Sequence, residues 1–328
     1  MNAARLSQRC GLATAITQFI AYKRALNRGY RTEAAALRLL DQALGQVGAE
    51  DLRDLTPVML DAFLHSRPRH RPRSYNHLRG VVRRFFAWAI IQDLIETNPV
   101  QATPRRATST RRPYLFDVEE VRRLLTLARA LPDWPCAPHR GLVYETGFAL
   151  LFALGLRVGE LSRLQLGDVD LQRAVLTIRA SKFGKSRLVP FGPRVCERLQ
   201  HYLAQRFTGS LSPDLPLFSF TRRGPVCPET ISQTFHGLWP KLGLVIPPGV
   251  DTPRLHDLRH SFAVATLLRW YREGIDPNQR LLQLATFLGH VDPTSTAVYL
   301  TITDELLVQA NTRFRTQALP RITAGGAP

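Results

Sequence analysis

Between Thr252 and Tyr299 lie four residues whose types and spacing suit one kind of chemistry: His256, Arg259, His290 and Tyr299. His256 and Arg259 fall three positions apart in L-H-D-L-R-H-S-F-A, which puts them on one helix face. The word L-G-H ends at His290, and D-P-T-S-T-A-V-Y ends at Tyr299. Asp292 can cap a short helix whose first position is Pro293, where the missing N–H is no loss. Two histidines, an arginine and a tyrosine converging without a carboxylate pair make a phosphate-handling arrangement. No Asp/Glu cluster accompanies them to hold Mg²⁺, so a metal site is not expected.

The elements that must position these groups belong to a chain of 328 residues, enough for two domains at ~100–200 residues each. A hydrophobic content of 45% supports packed cores. The net charge of +18 and a pI near 10.8 draw polyanions. The best apolar run, around Gly147 to Leu156, is well short of the ~20 residues of a spanning helix. The opening M-N-A-A-R-L-S-Q-R has no apolar signal-peptide core. The expected partner is therefore double-stranded DNA and not a membrane, in a cytoplasmic, nucleoid-associated setting. Cys10, Cys136, Cys196 and Cys227 are scattered without a C-x-x-C pair, which argues against zinc and against a disulfide framework.

From Leu12 to about Val100 the periodicity is helical throughout, predicting a small four-helix domain over residues 1–102. Thr32 is the expected cap of the second helix and Thr56-Pro57 starts the third, which carries Val58, Leu60 and Phe63. The fourth is expected over Ser74–Ile95, burying Leu78, Val81, Val82, Phe85, Phe86, Trp88 and Ile91. Its approach is crowded with one sign of charge. Arg67, Arg69, Arg71, Arg73, Arg79, Arg83 and Arg84 have no acid among them. Such a run is often a solvated face; arginine alone, interleaved with prolines and His70, Tyr75 and His77, points to contact with a DNA backbone. Residues 103–116 are the expected linker, carrying Arg105, Arg106, Arg111 and Arg112 as further DNA contacts.

From Asp117 the pattern turns mixed. Asp117 and Glu120 form a capping box, and an all-round apolar helix over Gly141–Leu154 must be central. Ala174–Arg179 alternates as a strand, S-K-F-G-K-S turns, and R-L-V-P-F returns. Helices follow near Arg194–Gln205, Pro228–Leu242, Leu255–Trp270, Gln279–Leu288 and Thr303–Arg313. The fold class is thus mainly α, in two domains, the second (117–328) α+β with one small antiparallel sheet.

Arg157, Lys182, His256, Arg259, His290 and Tyr299, in that order, resemble the signature of the tyrosine recombinase (phage integrase, Xer-like) family. The words that carry the resemblance are G-L-R-V-G-E-L, K-F-G-K-S-R-L-V-P, L-H-D-L-R-H-S-F-A and L-G-H, then a tyrosine nine positions beyond His290. Singly, Arg157 reads as an ion pair with Glu160, His256 as a core histidine, His290 as a helix cap and Tyr299 as packing. Five motifs in order are not explained that way. The resemblance covers the catalytic half, and the helical half fits the family's SAM-like core-binding domain.

The resemblance implies a site-specific DNA recombinase or integrase acting through a covalent 3′-phosphotyrosyl intermediate, with no cofactor, ATP or metal. Tyr299 is then the nucleophile, with Arg157, Arg259 and His290 donating to the non-bridging oxygens of the phosphate. Lys182 is the general acid, with Lys185 its close rival. His256 is the base or the group that orients the phosphate, and Glu160 orients Arg157 or His256 from behind. A homo-tetramer assembled on inverted-repeat-like core sites is implied, with a C-terminal helix at about 302–316 docking on a neighbouring protomer. A mobile-element or integron-like role is favoured. Chromosome-dimer resolution, type IB topoisomerase-like relaxation and DNA binding without catalysis are the alternatives.

Overall fold

A computed structural model describes residues 11–26, 29–49, 51–66, 69, 71–106, 112–179, 186–207, 209, 212–221, 224–290, 292 and 294–301. Arg67, Arg111, Lys182, Lys185, Pro293 and the segment expected to hold the C-terminal helix lie outside the described residues. The chain divides into two compact units, Met1–Thr110 and Arg111–Pro328.

The first unit contains α1 (Leu12–Ala25), α2 (Arg31–Gly45), α3 (Pro57–His65) and α4 (Pro72–Ile91). Its core is built on α4, whose Val81, Val82, Phe85 and Phe86 are wholly buried. Phe19 of α1 meets Phe85 edge-on with ring centroids 5.6 Å apart, and Leu37 and Leu40 of α2 close the other side. Thr56 caps α3 as expected, its hydroxyl accepting from the N–H of Met59, with Pro57 at the first turn. Thr32 does not cap α2. The helix begins two residues earlier, after Tyr30 has taken a left-handed conformation at φ 46°.

Ile91 is a correction, and Val58 of α3 is exposed likewise. Both are largely exposed, at 76% and 77%, because each lies off the stripe that its helix buries. At 100° per residue, Ile91 is rotated about 140° from the Leu78–Phe85–Ala89 line.

The second unit holds α5 (Val118–Arg129), α6 (Arg140–Leu154), α7 (Val158–Arg163), β1 (Val169–Asp170), β2 (Val175–Ile178), β3 (Arg187–Pro190), α8 (Pro193–Arg206), α9 (Pro228–Leu238), α10 (Asp257–Arg272), α11 (Pro277–Leu288) and the single turn α12 (Thr294–Ala297). The Asp117–Glu120 capping box is formed in both directions. Helix α6 is buried on nearly every side and packs on α5, α8 and α10, so it is the axis of the unit.

The sheet is antiparallel in the order β1-β2-β3, with Val175 opposite Pro190 and Ile178 opposite Arg187. The two-residue β1 is one strand more than the alternation predicts, being too short to show a period. Leu176, Ile178 and Val189 face the core, and Arg187 shares the inward face of β3 with Val189. Tyr114 and Phe116, from the expected linker, are buried in this core, and the Phe116 N–H donates to Ser261 of α10.

Candidate active site

The C-terminus of α11 is the scaffold of the site. A helix leaves its last carbonyls without internal partners and gathers partial negative charge there. Here the oxygen of Ala285 accepts from His290 N and that of Thr286 from Gly289 N, a Schellman-type ending. The next three carbonyls each accept from a different arginine. Phe287 O takes Arg187 Nε at 2.8 Å, Leu288 O takes Arg259 Nη2 at 2.7 Å, and Gly289 O takes Arg157 Nη2 at 2.8 Å. Three guanidinium groups from β3, α10 and the start of α7 are thereby held together.

One buried carboxylate compensates part of that charge. Glu160, 3% exposed, accepts from Arg157 Nη1 at 2.8 Å and from Arg187 Nη1 and Nη2 at 2.9 Å each. It also caps α7 by accepting the N–H of Arg157 at 3.0 Å. Arg259, 1% exposed, is fixed a second time by Gly155 O at 2.6 Å. Burial, then the charge of Arg157, lowers its pKa to about 10, so it remains a cation at neutral pH. A guanidinium has five donors, and two of those on Arg259 go to carbonyls.

Two glycines make the close approach feasible. Gly155 and Gly289 sit at φ +59° and +68°, the left-handed region where a Cβ is strained. A Cβ on Gly289 would meet Arg187 Nη1 at 2.7 Å, and that guanidinium is locked by Glu160 and Phe287. Gly289→Ala is expected to lose about 1–2 kcal/mol from the left-handed backbone alone. Displacement of Arg187 should also slow strand cleavage, so thermal melting and a cleavage assay on the same preparation check both effects.

Tyr299 is 4% exposed, in the 3₁₀ turn Val298–Thr301 that follows α12. Its hydroxyl lies 3.0 Å from Nδ1 of His260, within the influence of the Arg259 guanidinium. Burial raises its pKa, and the charges of Arg259 and Arg157 oppose that rise. The His290 ring stacks on Tyr299 with centroids 6.2 Å apart, and its Nδ1 is 2.6 Å from Thr296 Oγ1, leaving Nε2 as the nitrogen it can present. Burial and the neighbouring arginines hold His290 at about 4, neutral at pH 7.

His256 is the N-cap of α10, where N–H groups favour an anion. Its pKa is also lowered to about 4, through loss of water around the ring and then the charges of His260, Arg259 and Arg254. The residue as a whole is exposed at the helix end.

The structure thus brings Arg157, Arg259, His290 and Tyr299 together, with His256 one turn before His260 and Glu160 behind Arg157. Arg187 and His260 were not singled out from sequence. Arg187 is a charged residue at an inward strand position, and His260 stands four positions after His256, on its face; each was a usable signal. Among the described residues no three His, Cys, Asp or Glu side chains are grouped to hold a metal ion.

The arginines expected on DNA are differently placed. Arg71, Arg73, Arg83, Arg84, Arg106 and Arg112 are exposed. Arg79 is half-buried and donates to Ala102 O. Arg105 lies 4.0 Å over the Tyr75 ring and donates to the carbonyl of Arg69, which is itself half-buried. Asn76 exchanges two 2.7 Å hydrogen bonds with the backbone of Arg105, so this part of the expected linker is laid along α4.

Residues 115–305 match the phage integrase family. A putative integrase/recombinase, y4rB, of Sinorhizobium fredii is 35% identical over 91% of this chain and 95% of its own. The tyrosine recombinase XerD of Ralstonia nicotianae is 31% identical over 81% of this chain and 79% of its own. Among solved structures, a lambda integrase(75-356) dimer bound to a COC′ core site has the same fold. Its TM-score is 0.63 at 21% identity, covering 87% of this chain and 97% of that one. No helix of the described residues is long and apolar enough to cross a membrane. With more than half its length matched to the family model and a relative aligned almost end to end, the chain belongs to the phage integrase family, the site-specific DNA recombinases of the tyrosine type.

Proposed function

We propose that this enzyme cuts and rejoins DNA through a covalent bond between Tyr299 and a 3′-phosphate, and that it serves a mobile element. The observation that carries the reading is the tyrosine hydroxyl held against Arg259 and His260, beside two arginines anchored on one helix end. Attack on a phosphodiester places extra negative charge on the two non-bridging oxygens. Guanidinium groups fixed beforehand answer that charge without reorganising, and each such donor is worth ~3 kcal/mol or more in the transition state. Arg157 and Arg259 take this role, and His290 adds a neutral donor through Nε2. His256, at the helix N-cap, orients the phosphate. Lys182 protonates the departing 5′ oxygen. The ester conserves the energy of the broken bond, so the reading requires neither nucleotide nor metal.

DNA supplies the negative partner for the +18 charge. In this reading residues 1–102 form the core-site-binding domain, with the exposed arginines of α4 and its approach on the phosphate backbone. Residues 103–116 connect it to the catalytic domain at 117–328. The curated relatives named integrase/recombinase and a Tn1549 transposon integrase solved with transposon right end DNA favour the mobile-element role. A lambda integrase tetramer solved on a Holliday junction supports a tetramer here. In this reading segment 302–316 docks on a neighbouring protomer.

The test is an exchange assay on two plasmids carrying the DNA that flanks the gene. Joined recombinant products in wild type and none in Tyr299→Phe are expected. Relaxation of a single plasmid without exchange or site preference would instead identify a type IB topoisomerase-like enzyme.

A further inference from the structure

We propose that His260 takes the phenolic proton of Tyr299 as its oxygen attacks phosphorus, and returns that proton when the strand is rejoined. The inference rests on the reading of Tyr299 as nucleophile and assigns its base to a side chain outside the six that the sequence singled out. The Arg259 guanidinium acts on the Tyr299 hydroxyl as a cation that can only donate, so toward it the phenol oxygen can only accept. The phenol's own hydrogen is then directed to Nδ1 of His260, 3.0 Å away. This pairing sets His260 in the tautomer that carries its hydrogen on Nε2, an assignment that follows from the network. The acceptor is within proton-transfer reach of the atom that must lose the proton.

His256 is less well placed. Its ring stands perpendicular to that of His260 with centroids 4.8 Å apart, one helical turn nearer the start of α10. Groups that face His260 include His256 from its own helix and Tyr299 from the 3₁₀ turn, with His290 stacked behind Tyr299. Neutral His256 and His290 leave room for a transient positive charge, which the incoming phosphate offsets against the arginines. In the step itself a lone pair of the Tyr299 oxygen forms the O–P bond and the phenolic proton moves to His260 Nδ1. The P–O5′ bond breaks, and the 5′ oxygen takes its proton from Lys182 or solvent. Rejoining runs these transfers in reverse.

The experiment measures formation of the Tyr299–DNA adduct on a nicked suicide duplex between pH 6 and pH 10, in the full chain. His260→Gln keeps a polar side chain that cannot accept the proton, and its melting and DNA binding are recorded to establish that it folds. A loss of ~10²-fold or more at pH 7 is expected. The loss should shrink as pH approaches the phenol's own range, and shrink again when a fluorinated, more acidic tyrosine replaces Tyr299. His256→Gln should show neither rescue. Wild-type rates for His260→Gln at pH 7 would overturn the inference. So would a loss unchanged by pH and by fluorotyrosine, which would leave His260 a packing residue. Absence of any Tyr299 adduct in wild type would overturn the nucleophile reading itself, and this inference with it.

Discussion

Arg259→Ala is expected to reduce adduct formation by ~10³-fold, the upper end of what one preorganised oxyanion donor supplies. It should also destabilise the catalytic unit by roughly 2–6 kcal/mol, because two buried carbonyls lose their donor at 1–3 kcal/mol each. Those oxygens, Gly155 O and Leu288 O, are held at 2.6 and 2.7 Å. Arg259→Lys separates the two effects. A lysine keeps the charge but presents a single compact ammonium that cannot span both carbonyls and the tyrosine. It should therefore recover part of the stability while remaining far below wild type in cleavage. Urea titrations beside single-turnover cleavage measure both. A lysine variant with wild-type cleavage would mean that charge alone, without the planar fork, is what Arg259 contributes.

Glu160→Ala should be nearly as damaging by a different route. The carboxylate is buried between Arg157 and Arg187, both partly or largely buried. Removing it leaves two like charges facing each other without compensation, a loss of about 3–5 kcal/mol for a buried pair broken on one side. It also releases Arg157 from one of the contacts that aim it at the phosphate. The double variant Glu160→Leu with Arg187→Met replaces the pair by apolar side chains of similar length. Because desolvation makes a buried ion pair a poor source of net stability, this variant should regain most of the lost stability. It should not regain cleavage, since Arg157 then has only Gly289 O among its bonds to Glu160 and the α11 end. Recovery of both would show that the network serves folding alone.

What could be read in the sequence follows the range of the interactions involved. The Asp117–Glu120 box and the Thr56 cap close over three residues, and both stand as expected. The apolar period of Gly141–Leu154 correctly marks the central helix. Arg157, Arg259, His290 and Tyr299 were visible because their surrounding words are distinctive, and the fold does bring them together. Arg187 and His260 were inside the same words but drew their meaning from distant partners. Arg187 binds Glu160, 27 positions away, and a carbonyl 100 positions away; His260 binds Tyr299 across 39. The local pattern marks both positions, a charge facing inward and a histidine on the His256 face, but not the partners they meet. The stacking of Arg105 on Tyr75 was illegible for the same reason, since a run of arginines does not reveal which of them will lie over a ring. The first turn of α2 was missed because a left-handed tyrosine has no propensity signal.

The most direct test of the account is the identity of the atom that joins DNA. Wild-type protein is incubated with suicide duplexes from the gene's flanks, quenched in SDS, digested with trypsin and analysed by mass. The peptide from Leu281 to Arg313 contains a single tyrosine, Tyr299, so an adduct there is unambiguous. The account predicts that adduct, its loss in Tyr299→Phe, and a 5′-hydroxyl on the released strand. Tight DNA binding with no adduct, or an adduct on any other residue, would contradict it.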